Sequence, residues 1–195
     1  YETEGLFLPL FRGNAAATFF SIGGAEDGWT DGVTTGTTTI RLGDNGTNPL
    51  HGILSFDTSS LPDDAQITGA RLYLTREGAT GTNPFTSGAL GTPSVDVRTG
   101  TFGAPAVELS DADAAATAAD AGWAIGGVTA NGCALGIELK PAGCAAINRT
   151  GRTQFRVSFA QVGSNAGPDD VAMSDGNATT PPAGFPTLAQ YMGTS

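Results

Sequence analysis

Apolar and polar residues alternate along most of this chain, so that one set of side chains can be buried while the other stays wet. Over 153–160, Phe155, Val157 and Phe159 share one face, and Gln154, Arg156 and Ser158 share the other. Over 50–57, Leu50, Leu54 and Phe56 point inward and His51, Ser55 and Asp57 outward. Thr38, Ile40 and Leu42 repeat the pattern, as do Val95 with Val97, and Leu135 with Ile137 and Leu139. Between Ile67 and Leu74 the alternation changes phase near Gly69, which predicts a bulge or bend; beyond it Ala70, Leu72 and Leu74 share a face. Further strands are expected over 15–22, 170–174 and 187–192. The pattern predicts about nine or ten half-buried strands separated by Gly, Asn, Asp and Pro turns. Sheets with one apolar face must cover each other, so the expected fold is all-β, an antiparallel β-sandwich of jelly-roll type.

Two segments break the alternation. Ser110, Asp111 and Asp113 open an alanine-rich run that Gly122 stops. A serine cap with acids in the first turn predicts a short helix over 110–120. An ordered loop is the alternative, because so short a helix does not stand alone in water. A second turn of helix is expected over 141–147, with Pro141 at its first position. Both are expected to lie across an end or edge of the sandwich.

The first fourteen residues differ in character from the sandwich expected over 15–195. After acidic residues comes an apolar run, Leu6, Phe7, Leu8, Pro9, Leu10 and Phe11, bounded by Gly5 and Gly13. A monomer gains by hiding so much exposed apolar surface. Pro9 has no N–H, so this run does not suit a fully paired central strand. Two arrangements remain open: an edge strand of its own sheet, or a strand donated to a neighbouring copy.

Composition narrows the function classes. The 29 glycines and 11 prolines fit many turns and short strands. The net charge is −10, with Lys140 the only lysine, which argues against nucleic acid, anionic lipid and acidic polysaccharide as partners. No apolar run is long enough to span a bilayer, so membrane insertion is not expected. A chain opening at Tyr1 fits a product secreted after signal-peptide removal, placed outside the cell or on its surface. In that compartment Cys133 and Cys144 are expected to form a disulfide closing a small loop; two buried thiols are the alternative.

Candidate chemistry is sparse. His51 is the only histidine, so zinc lacks its ligands, and no Gly-x-Ser-x-Gly elbow accompanies it. Phosphate-binding loops are missing as well: no lysine follows a glycine cluster in the required way. Paired carboxylates are the one catalytic arrangement that sequence leaves open, yet most acids sit in turns, where solubility and turn chemistry account for them. The chain is therefore expected not to be an enzyme and to need no cofactor, with a structural calcium the single candidate. Asp27 and Asp31 in one loop, and Asp169 and Asp170 in another, offer hard oxygen ligands, though solvated acidic loops explain them equally. Trp29 and Trp123 are candidates for stacking a sugar ring, and each is also suited to capping the core.

The stretch Leu54, Ser55, Phe56, Asp57, Thr58, Ser59, Ser60, Leu61, Pro62, followed by Ala65, Gln66, Ile67, Thr68, Gly69, Ala70, Arg71, Leu72, Tyr73 and Leu74, resembles the signature of DNRLRE-type extracellular domains. Residues 147–156 and the closing Pro186, Thr187 and Leu188 are similar to the last strands of that family. The resemblance implies a jelly-roll sandwich without catalysis, with carbohydrate binding or surface attachment in some relatives. The string behind the family's name is absent, and no binding residue carries over. Two functions are thus expected from sequence: a structural subunit polymerising with its own kind through the 6–11 run, or a secreted carbohydrate-binding module.

Overall fold

The computed structural model describes residues 14–125, 128–163, 167–174 and 187–193. The apolar run 6–11 therefore lies outside the described residues. The described residues form twelve strands: β1 (Asn14–Phe20), β2 (Gly28–Thr30), β3 (Thr35–Gly36), β4 (Ile40–Asp44), β5 (Pro49–Asp57), β6 (Gln66–Thr80), β7 (Pro93–Thr99), β8 (Gly122–Ile125), β9 (Ala134–Leu139), β10 (Arg152–Phe159), β11 (Asp169–Met173) and β12 (Thr187–Gly193). Every ladder between them is antiparallel. One layer runs β1-β12-β6-β9-β8, and the other β11-β4-β5-β10-β7, with β2 and β3 added along β5. β6 serves both: residues 66–75 pair with β12 and β9, and its last turn-ward residues with β11. The fold is an all-β antiparallel sandwich with two short helices, as the alternation predicts.

Side chains that share a face in sequence meet in the core. Ile40, Leu42, Leu54, Phe56, Phe155 and Val157 from one layer are fully buried against Ala70, Leu72, Leu74 and Leu135 from the other. Phe56 and Phe155 pack edge to face at 5.5 Å, an arrangement that places a ring edge on a neighbour's electron-rich face. The phase change near Gly69 is a β-bulge: Tyr191 faces Gly69 and Met192 faces Ile67, leaving Thr68 as the extra residue.

Three expectations are corrected. The alanine-rich segment is not a helix: only Leu109–Ala112 makes a 3-10 turn, capped reciprocally by Glu108 and Asp111. Beyond it the chain is irregular rather than helical, because β7 offers an unpaired edge that satisfies its backbone: Val97 N–H donates to Ala118 O at 2.8 Å, and Ala121 N–H to Val95 O at 2.6 Å. The outer face of β5 and β10 is likewise not wet. Segment 101–116 covers it, and Gln154 is buried, donating from Nε2 to Ser55 Oγ and Pro105 O while Oε1 accepts from Phe102 N–H at 2.7 Å. Arg156 is held beneath the same strap, bonded to Asp96 and to the carbonyls of Asp111, Ala112 and Ala114.

The third correction concerns the cysteines. Cys133 and Cys144 are both free thiols rather than a disulfide. Cys133 immediately precedes β9, whereas Cys144 sits in α2 (Pro141–Ala145) beyond its far end, where its Sγ lies 4.0 Å from Leu139 O. The six extended residues between them separate the ends by about 20 Å, while a disulfide needs Cα atoms within about 7 Å. Burial pushes the Cys144 thiol pKa up, so it stays protonated. The other helix, α1 (Pro84–Ser87), is capped by Asn83, whose side chain accepts from Phe85 N–H. The second predicted helix, over 141–147, is present as α2.

Candidate interaction surfaces

The acids that sequence offers to calcium have protein partners. Asp27 is fully buried and accepts from Ser55 N–H at 2.8 Å. Asp31 closes its own turn, accepting from Val33 and Thr34 N–H, and its second oxygen accepts from Asn45 Nδ2. Burial works against the charge on Asp31, but these hydrogen bonds outweigh it and its pKa falls below the usual carboxylate range. Asp169 Oδ1 accepts from Thr82 N–H, and Asp170 binds the Arg41 guanidinium through both oxygens. Among the described residues no group of three or more His, Cys, Asp or Glu could hold a metal ion.

The two tryptophans have different surroundings. Trp29, on β2, is half-buried, its ring seated against Gly36, where any Cβ would collide with it. Arg41 lies 5.3 Å from the ring centroid and is itself fixed by Asp170, so Trp29, Arg41 and Asp170 form one cluster bracing β2, β4 and β11. Trp123, on β8, is 50% exposed, and Ile125 beside it is 44% exposed.

Cross-strand register builds a surface around Trp123. Trp123 faces Glu138, which faces Arg71; Ile125 faces Gly136, which faces Tyr73. Residues directly opposite in a ladder share a face, so these six occupy two adjoining rows on the outer side of β8, β9 and β6. Arg71 donates to Glu138 Oε2 at 2.7 Å and to the Tyr73 hydroxyl at 3.0 Å. Those partners, Tyr73 first, hold the guanidinium still more firmly protonated than usual. Lys140 Nζ lies 5.6 Å from the Trp123 ring centroid and bonds Asp120 at 2.7 Å. The result is an aromatic strip bordered by fixed donors and acceptors. Sequence places Arg71 and Tyr73 on a wet face, but the register that joins them to Trp123 comes only from the sheet.

A second surface lies at the start of β6. Pairing with β9 stops at Arg71, where the chain leaves the sheet and turns into α2. The first residues of β6 run on beside α2, and between them lies a groove of about 460 Å³ lined by residues 65–68, Gln66 and Thr68 among them, and by Pro141, Cys144, Ala145 and Ile147. Arg149 stands at its rim and donates to Ala65 O at 2.7 Å. The groove was not legible beforehand, because it exists only where one strand outruns its neighbour.

No family model matches the chain, and no curated protein matches it.

Proposed function

We propose that this protein is an extracellular, non-catalytic structural subunit that assembles with further copies of itself into a fibre, sheath or surface layer, partly through the apolar run 6–11. The observation that carries this reading is positional: in sequence the run precedes β1, the outermost of the described strands of its layer. An apolar segment attached to a sheet edge is suited to pairing with another chain. The engagement of the buried polar side chains in holding loops to strands, as with Gln154 and Asp27, favours a structural role over a reaction centre. The resemblance to DNRLRE-type domains supports the same reading. A contact between a run on one copy and a different surface on the next propagates rather than closes.

Deleting residues 1–13 tests it. The full chain is expected to form polymers visible by electron microscopy and light scattering, and the shortened chain to remain monomeric. Monomers from both chains would defeat the reading.

The strip around Trp123 favours a second reading, binding of a neutral polysaccharide. Trp123 offers a face for a sugar ring, and Arg71, Glu138 and Lys140 offer hydrogen bonds at its border. A glycan array followed by Trp123→Ala addresses it. Binding that survives the substitution would remove the strip from consideration.

A further inference from the structure

We propose that Asp111 and Glu108 share one proton, and that this proton makes the 3-10 turn Leu109–Ala112 a clasp that tightens the strap in acid. The observation behind it is an oxygen without a donor. Asp111 is fully buried, and its Oδ2 accepts from Glu108 N–H at 2.8 Å, but among the described residues Oδ1 has no hydrogen-bond partner. A buried carboxylate oxygen left bare costs more than a buried hydroxyl that can donate. The group facing it is a second carboxylate. The space beside Gly103, where a Cβ would stand, has Glu108 Oε2 at 2.7 Å, Asp111 Oδ1 at 3.3 Å and the Ser110 hydroxyl at 3.6 Å. Glu108 Oε2 accepts from Ala104 N–H at 3.2 Å and keeps a lone pair for one more donor. A proton on Asp111 Oδ1 is that donor, and it ties Ala104, Glu108 and Asp111 together. Two carboxylates bordering one space resist ionising together.

The other charges around the turn do not relieve that oxygen. Arg156 of β10 is paired with Asp96 of β7, and its Nη1 donates to the carbonyls of Asp111, Ala112 and Ala114. Arg98 donates to the carbonyls of Thr101 and Ala115. His51 of β5 lies among Arg156, Asp113, Asp96 and Asp31, while Asp27 and Asp31 flank β2, which packs on the turn. Burial, the largest influence, and the charge of Glu108 push the Asp111 pKa up, against the Glu108 N–H and Arg156, which pull it down. The folded state therefore holds this proton more firmly than the unfolded chain does. Its contribution is full below the unfolded value of 3.8 and is lost as pH rises through the folded-state value.

The test follows the Asp111 carboxyl carbon of the full chain by NMR across the acid range. A midpoint above the ordinary aspartate range is expected, and Glu108→Gln is expected to lower it, because that change removes the neighbouring charge and offers an amide donor. A midpoint at or below that range, or one that Glu108→Gln leaves in place, overturns the proposal. Asp111→Asn provides the second arm. Its amide has the same shape, keeps an acceptor for Glu108 N–H and presents a donor to Glu108 at every pH. The readout is protection of Phe102 N–H, which donates to Gln154 Oε1, against hydrogen exchange corrected for its intrinsic rate. The ratio of protection in the parent to that in Asp111→Asn is expected to rise at least threefold from above the Asp111 midpoint to below it. Any effect of His51 is common to both chains and cancels in the ratio, so an unchanged ratio overturns the clasp. A midpoint lowered by calcium chloride, and not by sodium chloride of equal ionic strength, would assign a bridging cation to the same oxygens and overturn the shared proton.

Discussion

At the scale of single residues, the polar set on β5 and β10 is where sequence and structure diverge most. The alternation marks His51, Ser55, Gln154 and Arg156 as outward, and they are; what a period of two does not carry is that a strap from elsewhere in the chain lies over them. Gln154 becomes legible only in retrospect, as a residue whose amide can bond to both strap and sheet. His51 shows the physical consequence. Its ring is half-buried against β2, and among the described residues Nδ1 has no hydrogen-bond partner. Burial, aided by the charge of Arg156, lowers its pKa from 6.5. The folded state thus binds the proton less readily than the unfolded state, and linkage makes stability rise with pH wherever the unfolded chain holds more protons. Stability is therefore full above pH 6.5 and is lost as pH falls from there toward the folded-state value. Thermal unfolding of the parent chain and His51→Gln at pH 7.5 and 5.5 checks this: the parent midpoint should fall more than that of the variant. Equal falls would show that His51 contributes nothing to acid sensitivity.

Among elements, the strands with strong alternation are legible in the sequence because their pattern reports burial directly: Ile40, Leu42, Leu54 and Phe56 are all in the core. The 110–120 segment failed for an opposite reason. Its alanines and capping acids give a local preference, and an isolated short helix is weak enough for tertiary pairing to override it. The edge of β7 supplied that pairing. Ala121 is the position where this can be tested, since its N–H donates to Val95 O and its carbonyl accepts from Lys140 N–H at 2.7 Å. Ala121→Pro removes the donor and leaves the Val95 carbonyl without it in a buried setting, which costs about 1–3 kcal/mol. The close approach of Gly143 to Ala121 adds steric strain. Chemical denaturation should show the loss; Ala118→Gly, which keeps every backbone donor, should cost less. If the proline variant is as stable as the parent, the strap is not held through its backbone. The groove beside α2 belongs to this scale too, because it depends on how far β6 outruns β9, a length that no residue pattern encodes.

For the whole molecule, charge opposes what the apolar run favours. Each copy carries −10, so bringing copies together costs Coulombic energy at every contact in a polymer. Salt screens this cost: the Debye length falls from about 30 Å at 0.01 M to about 8 Å at 0.15 M. Burial of leucine and phenylalanine side chains between copies does not weaken with salt. If assembly is driven by that burial against a uniform repulsion, raising ionic strength should lower the critical concentration several-fold and lengthen the polymers seen by light scattering. If it is driven mainly by attraction of Glu2 and Glu4 to Arg149, the same salt should dissolve them. The sign of the salt dependence thus separates an apolar joint from an ionic one, and the size of the loss on Arg149→Ala at low salt separates them again. For an apolar joint, losing one cation leaves each copy more negative and assembly a little weaker at low salt, with no effect at high salt. For an ionic joint, the same change abolishes assembly at low salt, where the pairing is strongest.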